Sequence, residues 1–323
     1  MVVDRSSAAT LPGSQTDVRC RVCHGSRIRV AAKLISERDG RDYRALTCRD
    51  CGLLFADPLP DLSFEGLQRV YGVEYTGDQR DIEADQASLE LARKAVHRQM
   101  DIVEHYVAPG LALNVGAMGQ AIHVIQDRGW RLSIVDASAH AAETARALWG
   151  VDVTVSRIED YAGQGEPFDY VRMGHVIEHL ADPALAMRNV ASIMRPGGVA
   201  LIDTDNSEGL RSQIESWIRR LVGEGSAARL VKAFTGKELK KKYGRLIPPV
   251  HLNIFSERAL RRVLEDSGFE VVEVRKPAWG DRTWFPMETM SHLSLAERMF
   301  IRADQVGALF GRGEVLSILA RRR

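Results

Sequence analysis

The sequence lacks the features that mark several classes of protein. No apolar run approaches the roughly 20 residues that a membrane-spanning helix needs, and the first 15 residues contain no apolar core of a signal peptide. The 44 Lys and Arg residues nearly balance 43 Asp and Glu residues, so no global positive field attracts nucleic acid or a membrane surface. We therefore expect a soluble, cytoplasmic protein whose 323 residues bury one large core.

Cysteine is scarce, and its placement is informative. The only four cysteines form two CxxC pairs, Cys20 with Cys23 and Cys48 with Cys51. Two such pairs can give four thiolates to a tetrahedral Zn²⁺, which stabilises a short segment that has little core of its own. A reducing cytosol disfavours disulfides, and the absence of a βαβ context disfavours a redox motif. The spacing therefore predicts a structural zinc site.

Short β-rich runs alternate with helix-length segments between Leu111 and Asn206. This alternation predicts a doubly wound, mostly parallel α/β sheet of Rossmann-like type, because parallel strands need long crossover connections. Ligands of such sheets bind beyond the carboxyl ends of the strands. Candidate functional residues are therefore those that directly follow a predicted strand.

Two predicted strand ends carry the first such residues. Gly116 follows the strand Leu111 to Val115, and its turn allows backbone N–H groups to approach a ligand. Asp136 ends the next strand, twenty residues later, where a carboxylate can accept hydrogen bonds from a ribose diol. A helix N-cap is the alternative role for Asp136.

The exit of a later strand, Phe168 to Met173, carries His175, Glu178 and His179. If a helix begins near His175, positions i, i+3 and i+4 share one face and the three side chains converge. A solvated helical turn is the alternative.

We expect four regions along the chain. A mobile tail covers residues 1–17, a zinc-binding module 18–57, a helical connector 58–107, and the α/β domain 108–323. A basic insertion interrupts the domain at about residues 207–250, with nine Lys or Arg and two Glu between Arg219 and Arg245. It could hold the phosphates of an anionic substrate or form a solvated helix face.

Together these residues resemble a class I S-adenosylmethionine-dependent methyltransferase. With the cysteine pairs ahead, the chain is similar to bacterial methyltransferases with an N-terminal zinc-binding module, including sugar C-methyltransferases and related natural-product and polysaccharide enzymes. The resemblance implies a seven-stranded sheet whose final strand, Val315 to Ala320, is antiparallel. It rests on Phe168-Asp169, His175 to Pro183, Arg195 to Gly198, His251 to Phe255 and Ser267 to Phe269.

The resemblance also implies S-adenosylmethionine as cofactor. The family's first strand usually ends in an acidic residue and a three-glycine turn, whereas this chain has Asn114 and a shorter turn. The cofactor-binding residues that it implies are Gly116, Ala117, Gly119, Asp136, Ala137, Ile158, Met173 and His175.

His179 is the first candidate for a general base, since a histidine can take a proton at neutral pH. Glu178 is expected to orient it, and His175 and Tyr75 are further candidates. The expected acceptor is a small molecule: a sugar, nucleotide-linked or not, or a natural-product intermediate.

Three other functions stay open. His175, Glu178 and His179 could bind a metal, as in O-methyltransferases that act on quinone precursors, although those have a carboxylate at the first position. The short glycine turn could indicate a degenerate fold that binds a ligand or catalyses a non-methylating reaction. An RNA-modifying enzyme would use the basic insert, but the neutral net charge argues against it.

Overall fold

The structure is a computed structural model, and it describes residues 18–36, 38–72, 86–117, 121–163, 165–214, 217, 246–278 and 295–323. Its strands are β1 (Ile28–Ile35), β2 (Asp42–Cys48), β3 (Leu54–Asp57), β4 (Leu111–Val115), β5 (Arg131–Asp136), β6 (Thr154–Val155), β7 (Phe168–Gly174), β8 (Met194–Asp205), β9 (Asn253–Ile254), β10 (Phe269–Arg275) and β11 (Val315–Arg322). Its helices are α1 (Phe64–Val70), α2 (Gln86–Tyr106), α3 (Ala121–Asp127), α4 (Ala139–Trp149), α5 (Pro183–Ile193), α6 (Glu257–Asp266) and α7 (Leu295–Leu309), with a 3₁₀ turn at Ile177–His179.

The central sheet confirms the predicted fold class. Seven strands lie in the order β10-β11-β8-β7-β4-β5-β6, and β11 alone of them runs antiparallel to its neighbours. The chain leaves β4 for β5 on one side and later returns to β7 on the other side, so β4 marks the point where the strand order reverses. In open α/β sheets ligands bind at this point, beyond the carboxyl ends of the strands.

Helices cover both faces of this sheet and bury its apolar side chains. One face carries α2 and α3, with Met100 and Val103 packed near Tyr170 and Leu201. The opposite face carries α5 and α6 over a larger core. Side chains alternate between the two faces along each strand, so neighbouring residues of β7 point into different environments.

The helices begin at residues that satisfy their first backbone N–H groups. Ser138 accepts a hydrogen bond from the N–H of Ala141 at the start of α4, and Asp182 accepts one from Leu185 at the start of α5. Such caps stabilise a helix by about 1 kcal/mol each. The cap at Ser138 also fixes the loop that follows Asp136.

A second, smaller sheet contains the cysteine segment. Its order is β1-β2-β3-β9, with each neighbouring pair antiparallel. The short strand β9 comes from the far part of the chain and pairs with Leu54 and Phe55 of β3. This sheet is therefore not built from residues 18–57 alone.

Some elements differ from the sequence-based expectation. The sequence predicts a third strand over Val151 to Val155 and a turn at Arg195 to Gly198. In the structure only β6 is extended in the first segment, and the second lies within the long strand β8. Gly197 allows this because its φ of 80° lies in the left-handed region, and the pairing of β7 with β8 is irregular there. None of the described helices is long and apolar enough to cross a membrane.

Candidate active site

A pocket of about 440 Å³ opens at the carboxyl edge of the central sheet, beside the point where the strand order reverses. The loops after β4, β5, β6 and β7 line it, together with α1 and the segment before β9. Its volume lies in the range of small-molecule sites. Its lining includes Tyr71, Gly116, Ala117, Asp136, Ala137, Ile158, Gly174, His175, Glu178, His179 and His251.

The turn after β4 begins at Gly116, which has a φ of 99°. A Cβ atom there would lie 3.2 Å from Cγ2 of Val176, so both conformation and space favour glycine. The Gly116 N–H donates to the Val135 carbonyl, and the Asn114 side-chain amide donates to the Gly116 carbonyl at 2.6 Å. These bonds hold the turn close to the end of β5.

Asp136 organises the neighbouring loop. One of its carboxylate oxygens accepts the Ala117 N–H at 2.7 Å, and the other accepts the Ser138 N–H at 2.7 Å. Burial raises the pKa of Asp136, against the effect of these two amides. Each carboxylate oxygen has a further lone pair, so the group can still accept hydrogen bonds from a ligand.

The helix α1 closes this side of the pocket. The Gln68 side chain donates to the Ala137 carbonyl at 2.8 Å and accepts the Ala139 N–H at 2.9 Å. The Ser138 hydroxyl donates to the Tyr71 carbonyl at 2.8 Å. The predicted connector therefore forms part of the pocket wall.

His175 does not begin an α-helix. Its φ is 55°, and its N–H donates to the Asp203 carbonyl at 2.8 Å. Its Nδ1 lies 3.1 Å from Oε1 of Glu178. Burial opposes a charged imidazole, but the hydrogen bond and charge of Glu178 raise the pKa of His175.

Glu178 is buried, with 1% of its side chain exposed. Its second carboxylate oxygen accepts the Thr204 hydroxyl at 2.9 Å. Burial alone would raise its pKa, but the bond to His175 and the charges of His175, His179 and His251 outweigh burial and lower the pKa to about 2. Glu178 therefore stays ionised, and its hydrogen-bond partner is His175, where the sequence suggested His179.

The backbone orients His179. Its Nδ1 lies 3.1 Å from the Val250 carbonyl and 3.3 Å from the Tyr71 hydroxyl. Donation from Nδ1–H to the carbonyl assigns the tautomer whose basic lone pair is on Nε2. Burial, followed by the positive charge of His251, lowers the pKa of His179 to about 4, so its imidazole is neutral at physiological pH.

The structure brings most of the predicted cofactor residues to the pocket. Gly116, Ala117, Asp136, Ala137, Ile158 and His175 line it. Met173 does not follow the prediction, because alternation along β7 directs its side chain into the hydrophobic core, where it is fully buried. The predicted residues Gly119 and Tyr75 and the basic stretch Arg219 to Arg245 lie outside the described residues.

Two pocket residues that contact His179 have no role in the sequence-based prediction. Tyr71 lies at the end of α1, and His251 stacks edge-to-face on His179 with ring centroids 4.7 Å apart. His251 begins the His251 to Phe255 motif, so that motif was the available signal.

The four cysteines lie together in the second sheet, as their spacing suggests. Their sulfur atoms are all within 4.8 Å of one another. Cys20 and Cys51 have sulfurs 3.5 Å apart, as do Cys23 and Cys48. Sulfurs bound to one zinc at about 2.3 Å are about 3.8 Å apart in a tetrahedron, so the cluster fits a Zn²⁺ ion.

The cysteine cluster is attached to the pocket wall. The Ser256 hydroxyl donates to the Cys51 carbonyl at 2.6 Å. The Ala56 N–H donates to the Leu252 carbonyl, and the Leu252 N–H donates to the Glu178 carbonyl, each at 2.9 Å. Residues next to His251 therefore connect the cluster with the turn that carries Glu178.

Known proteins resemble this chain in sequence and in fold. Residues 115–274 match the methyltransferase domain family. The ubiquinone biosynthesis O-methyltransferase of Parvibaculum lavamentivorans is 42% identical over 74 residues, 23% of this chain and 28% of that protein. The protein of the same name from Caulobacter vibrioides is 33% identical over 101 residues, 29% of this chain and 40% of that protein. The chain thus matches less than half the length of either relative.

A solved structure supports the same fold. A chain from the complex between the Haloferax volcanii Trm112 methyltransferase activator and a methyltransferase superposes with a TM-score of 0.52 and 16% identity. The superposition covers 77% of this chain and 94% of the other. The strand order and the position of the pocket agree with the family match: residues 115–274, which supply most of the pocket lining, match the methyltransferase domain family.

Proposed function

We propose that this protein transfers the methyl group of S-adenosylmethionine to a small-molecule acceptor. The observation that carries the proposal is the pocket between the Gly116 turn and His179, which places a carboxylate on one side and a neutral imidazole on the other. The match to the methyltransferase domain family supports it.

The residues present fit the nucleoside part of this cofactor. Gly116 leaves its turn uncovered by a side chain, and Asp136 keeps lone pairs for the two hydroxyls of a ribose after accepting its two backbone amides. Ala137 and Ile158 line the same side of the pocket and provide apolar surface for a base. When bound, S-adenosylmethionine supplies a methyl group on a positively charged sulfur, which is ready for in-line displacement.

His179 then holds the proton that the acceptor loses. The Val250 carbonyl keeps Nδ1 protonated, so Nε2 accepts the proton. As the bond between the hydroxyl oxygen and the methyl carbon forms and the bond between sulfur and that carbon breaks, the hydroxyl becomes much more acidic, so a base with a pKa of about 4 can accept its proton in the transition state. The ionised Glu178 nearby stabilises the imidazolium that forms.

The acceptor that we propose carries a hydroxyl group. The curated relatives are named O-methyltransferases, which favours oxygen as the methylated atom. The similarity to enzymes with an N-terminal zinc-binding module favours a sugar or a natural-product intermediate as the acceptor. If this acceptor carries a phosphate group, the basic insertion would bind that phosphate. We also propose that Cys20, Cys23, Cys48 and Cys51 bind a structural Zn²⁺.

Calorimetry with S-adenosylmethionine and S-adenosylhomocysteine tests the proposal. We expect one site per chain, and we expect Asp136→Ala to weaken binding about 10- to 100-fold because charge-assisted hydrogen bonds are lost. Asp152→Ala is the matched control, since 98% of the Asp152 side chain is exposed. Absence of binding at millimolar nucleoside would overturn the proposal in favour of a degenerate, non-methylating fold.

A metal-assisted O-methyltransferase is the second candidate. Glu178, His179 and His251 each present a ligand atom, and these atoms lie within 4.8 Å of one another. This set replaces His175 of the sequence-based hypothesis by His251. Loss of activity in chelator, with recovery on adding Mg²⁺ or Mn²⁺ while one zinc per chain is retained, would favour this candidate over metal-free base catalysis.

A further inference from the structure

Arg172 occupies an unusual place for a charged residue, in the middle of the central strand β7. Only 14% of its side chain is exposed. A buried guanidinium has five N–H donors, and leaving them without acceptors is costly. Arg172 therefore needs hydrogen-bond acceptors near its guanidinium.

Neighbouring side chains engage Arg172 weakly. Its Nη1 donates to Oδ1 of Asn114 at 3.4 Å. Its Nη2 forms an ion pair with Oδ2 of the buried Asp203 at 3.9 Å, which is too long for a hydrogen bond. Oδ2 of Asp203 instead accepts the side-chain amide of Gln99 at 2.8 Å. Among the described residues, the buried Nε of Arg172 has no hydrogen-bond partner. Most donors of this guanidinium therefore lack an acceptor in that part of the chain.

The guanidinium lies directly behind the pocket wall. A Cβ atom on Gly174 would lie 2.5 Å from Nη1 of Arg172 and 2.7 Å from Nη2, so only glycine leaves room for this arrangement. Gly174 itself lines the pocket. Asn114, which accepts the hydrogen bond from Arg172, also donates to the carbonyl of Gly116, and Gly116 lines the same pocket.

A carboxylate is the ligand group that fits these donors. It has two oxygens that accept the parallel N–H groups of a guanidinium, and the charge pairing strengthens both bonds. The ribose-binding carboxylate that we propose, Asp136, follows β5, whereas Arg172 lies in β7, on the other side of β4. A nucleoside that binds Asp136 and carries an amino-acid chain can thus extend across the turn after β4 toward Arg172.

We infer that Arg172 binds the α-carboxylate of the amino-acid part of the cofactor, and that Gly174 is small so that the two groups can meet. This inference rests on the proposed function and adds to it a specific cofactor-binding residue. In this inference Arg172 binds and positions the amino-acid part of the cofactor and takes no part in proton transfer.

The test compares three ligands by calorimetry. S-adenosylhomocysteine has the whole amino-acid group, its decarboxylated analogue lacks only the carboxylate, and 5′-methylthioadenosine lacks the amino-acid group. We expect the wild-type protein to bind S-adenosylhomocysteine about 10- to 100-fold more tightly than the decarboxylated analogue, the fold-change expected for one charged hydrogen-bonded pair.

In Arg172→Met this preference should fall below about threefold, while affinity for 5′-methylthioadenosine stays within about threefold of wild type. Arg172→Lys keeps the charge without the planar fork and should retain an intermediate preference. Arg131→Met is the matched control, because Arg131 is 69% exposed at the start of β5 and should change none of the three affinities.

The outcomes distinguish a failure of the Arg172 assignment from a failure of the proposed function. Wild-type protein that binds 5′-methylthioadenosine but does not distinguish the other two ligands would overturn the role of Arg172 and leave the proposed function intact. Wild-type protein that binds none of the three would overturn both. If Arg172→Met fails to fold, two measurements still test the role of Arg172. One is the wild-type comparison of the three ligands, and the other uses Gly174→Ala, which should displace the guanidinium and reduce the preference for S-adenosylhomocysteine over its decarboxylated analogue.

Discussion

The cysteine cluster and the pocket are two sites of opposite construction. The cluster uses four identical thiols from two short turns of the second sheet. The pocket uses side chains of different chemistry from α1, from four loops of the central sheet and from the segment before β9. Four identical ligands bind one metal ion together, so the loss of one ligand impairs metal binding as a whole. Side chains of different chemistry serve different functions, such as cofactor binding and proton transfer. We therefore expect substitutions in the pocket to have separable effects, and substitutions in the cluster to have a collective one.

The largest effect is expected for Cys48→Ser. Structural zinc contributes about 10 kcal/mol or more to the folding of small modules, and a missing thiolate removes much of that contribution. Zinc per chain, measured by mass spectrometry, should fall from one to well below one, and the cysteine segment should become sensitive to limited proteolysis. Thr47→Ser in the same strand is the control. One zinc per chain retained by Cys48→Ser would contradict the four-thiolate site.

A smaller and more selective effect is expected for His179→Ala. Loss of a general base should lower kcat about 10²- to 10⁴-fold, while affinity for S-adenosylhomocysteine stays within a few-fold. His105→Ala, at an exposed position near the end of α2, should leave both quantities unchanged. A His179→Ala variant with nearly full turnover would exclude His179 as the base. Equal losses in turnover and affinity would show that the pocket does not divide its tasks in this way.

The smallest effect is a dependence of stability on pH. The folded pKa of His179, about 4, lies below the unfolded value of 6.5, so its contribution to stability is present above pH 6.5 and is lost as the pH falls toward 4. Glu178, with a folded pKa of about 2 and an unfolded value of 4.5, contributes stability above pH 4.5 that is lost as the pH falls toward 2.

Replacing His179 by Gln should remove the loss of stability that His179 causes as the pH falls from 6.5 toward 4. The decrease in the free energy of unfolding between pH 8 and pH 5, measured by urea denaturation, should become about 1–2 kcal/mol smaller than in wild type. An unchanged decrease would mean that His179 is not the buried neutral imidazole of the pocket. His105→Gln provides the control for a histidine at the surface.

Much of the fold could be predicted from the sequence because the signals were local. The apolar run Leu111 to Val115 coincides with β4. Ser256 is the N-cap of α6, where its hydroxyl accepts the Ala259 N–H, as is typical of serine. Each CxxC pair occupies a single turn, so its two sulfur atoms lie within 4.8 Å of each other. These features depend on residues a few positions apart, where spacing and side-chain chemistry determine the geometry.

The details of the pocket depend on contacts that spacing does not encode. Glu178 follows His175 by three residues, but the left-handed conformation of His175 turns these residues away from an α-helix. The partner that orients His179 is a backbone carbonyl, that of Val250, which no side-chain pattern reveals. His251 reaches the site because β9 pairs with β3 in a different sheet.

The pairing of β3 with β9 also constrains the order in which the chain can assemble during translation. Cys51 and Ser256, joined by a hydrogen bond, are 205 positions apart in sequence. When the cysteine segment leaves the ribosome, its partner strand has not yet been synthesised. The small sheet therefore lacks β9 until most of the central sheet has emerged from the ribosome. Its completion is a late step of folding during translation.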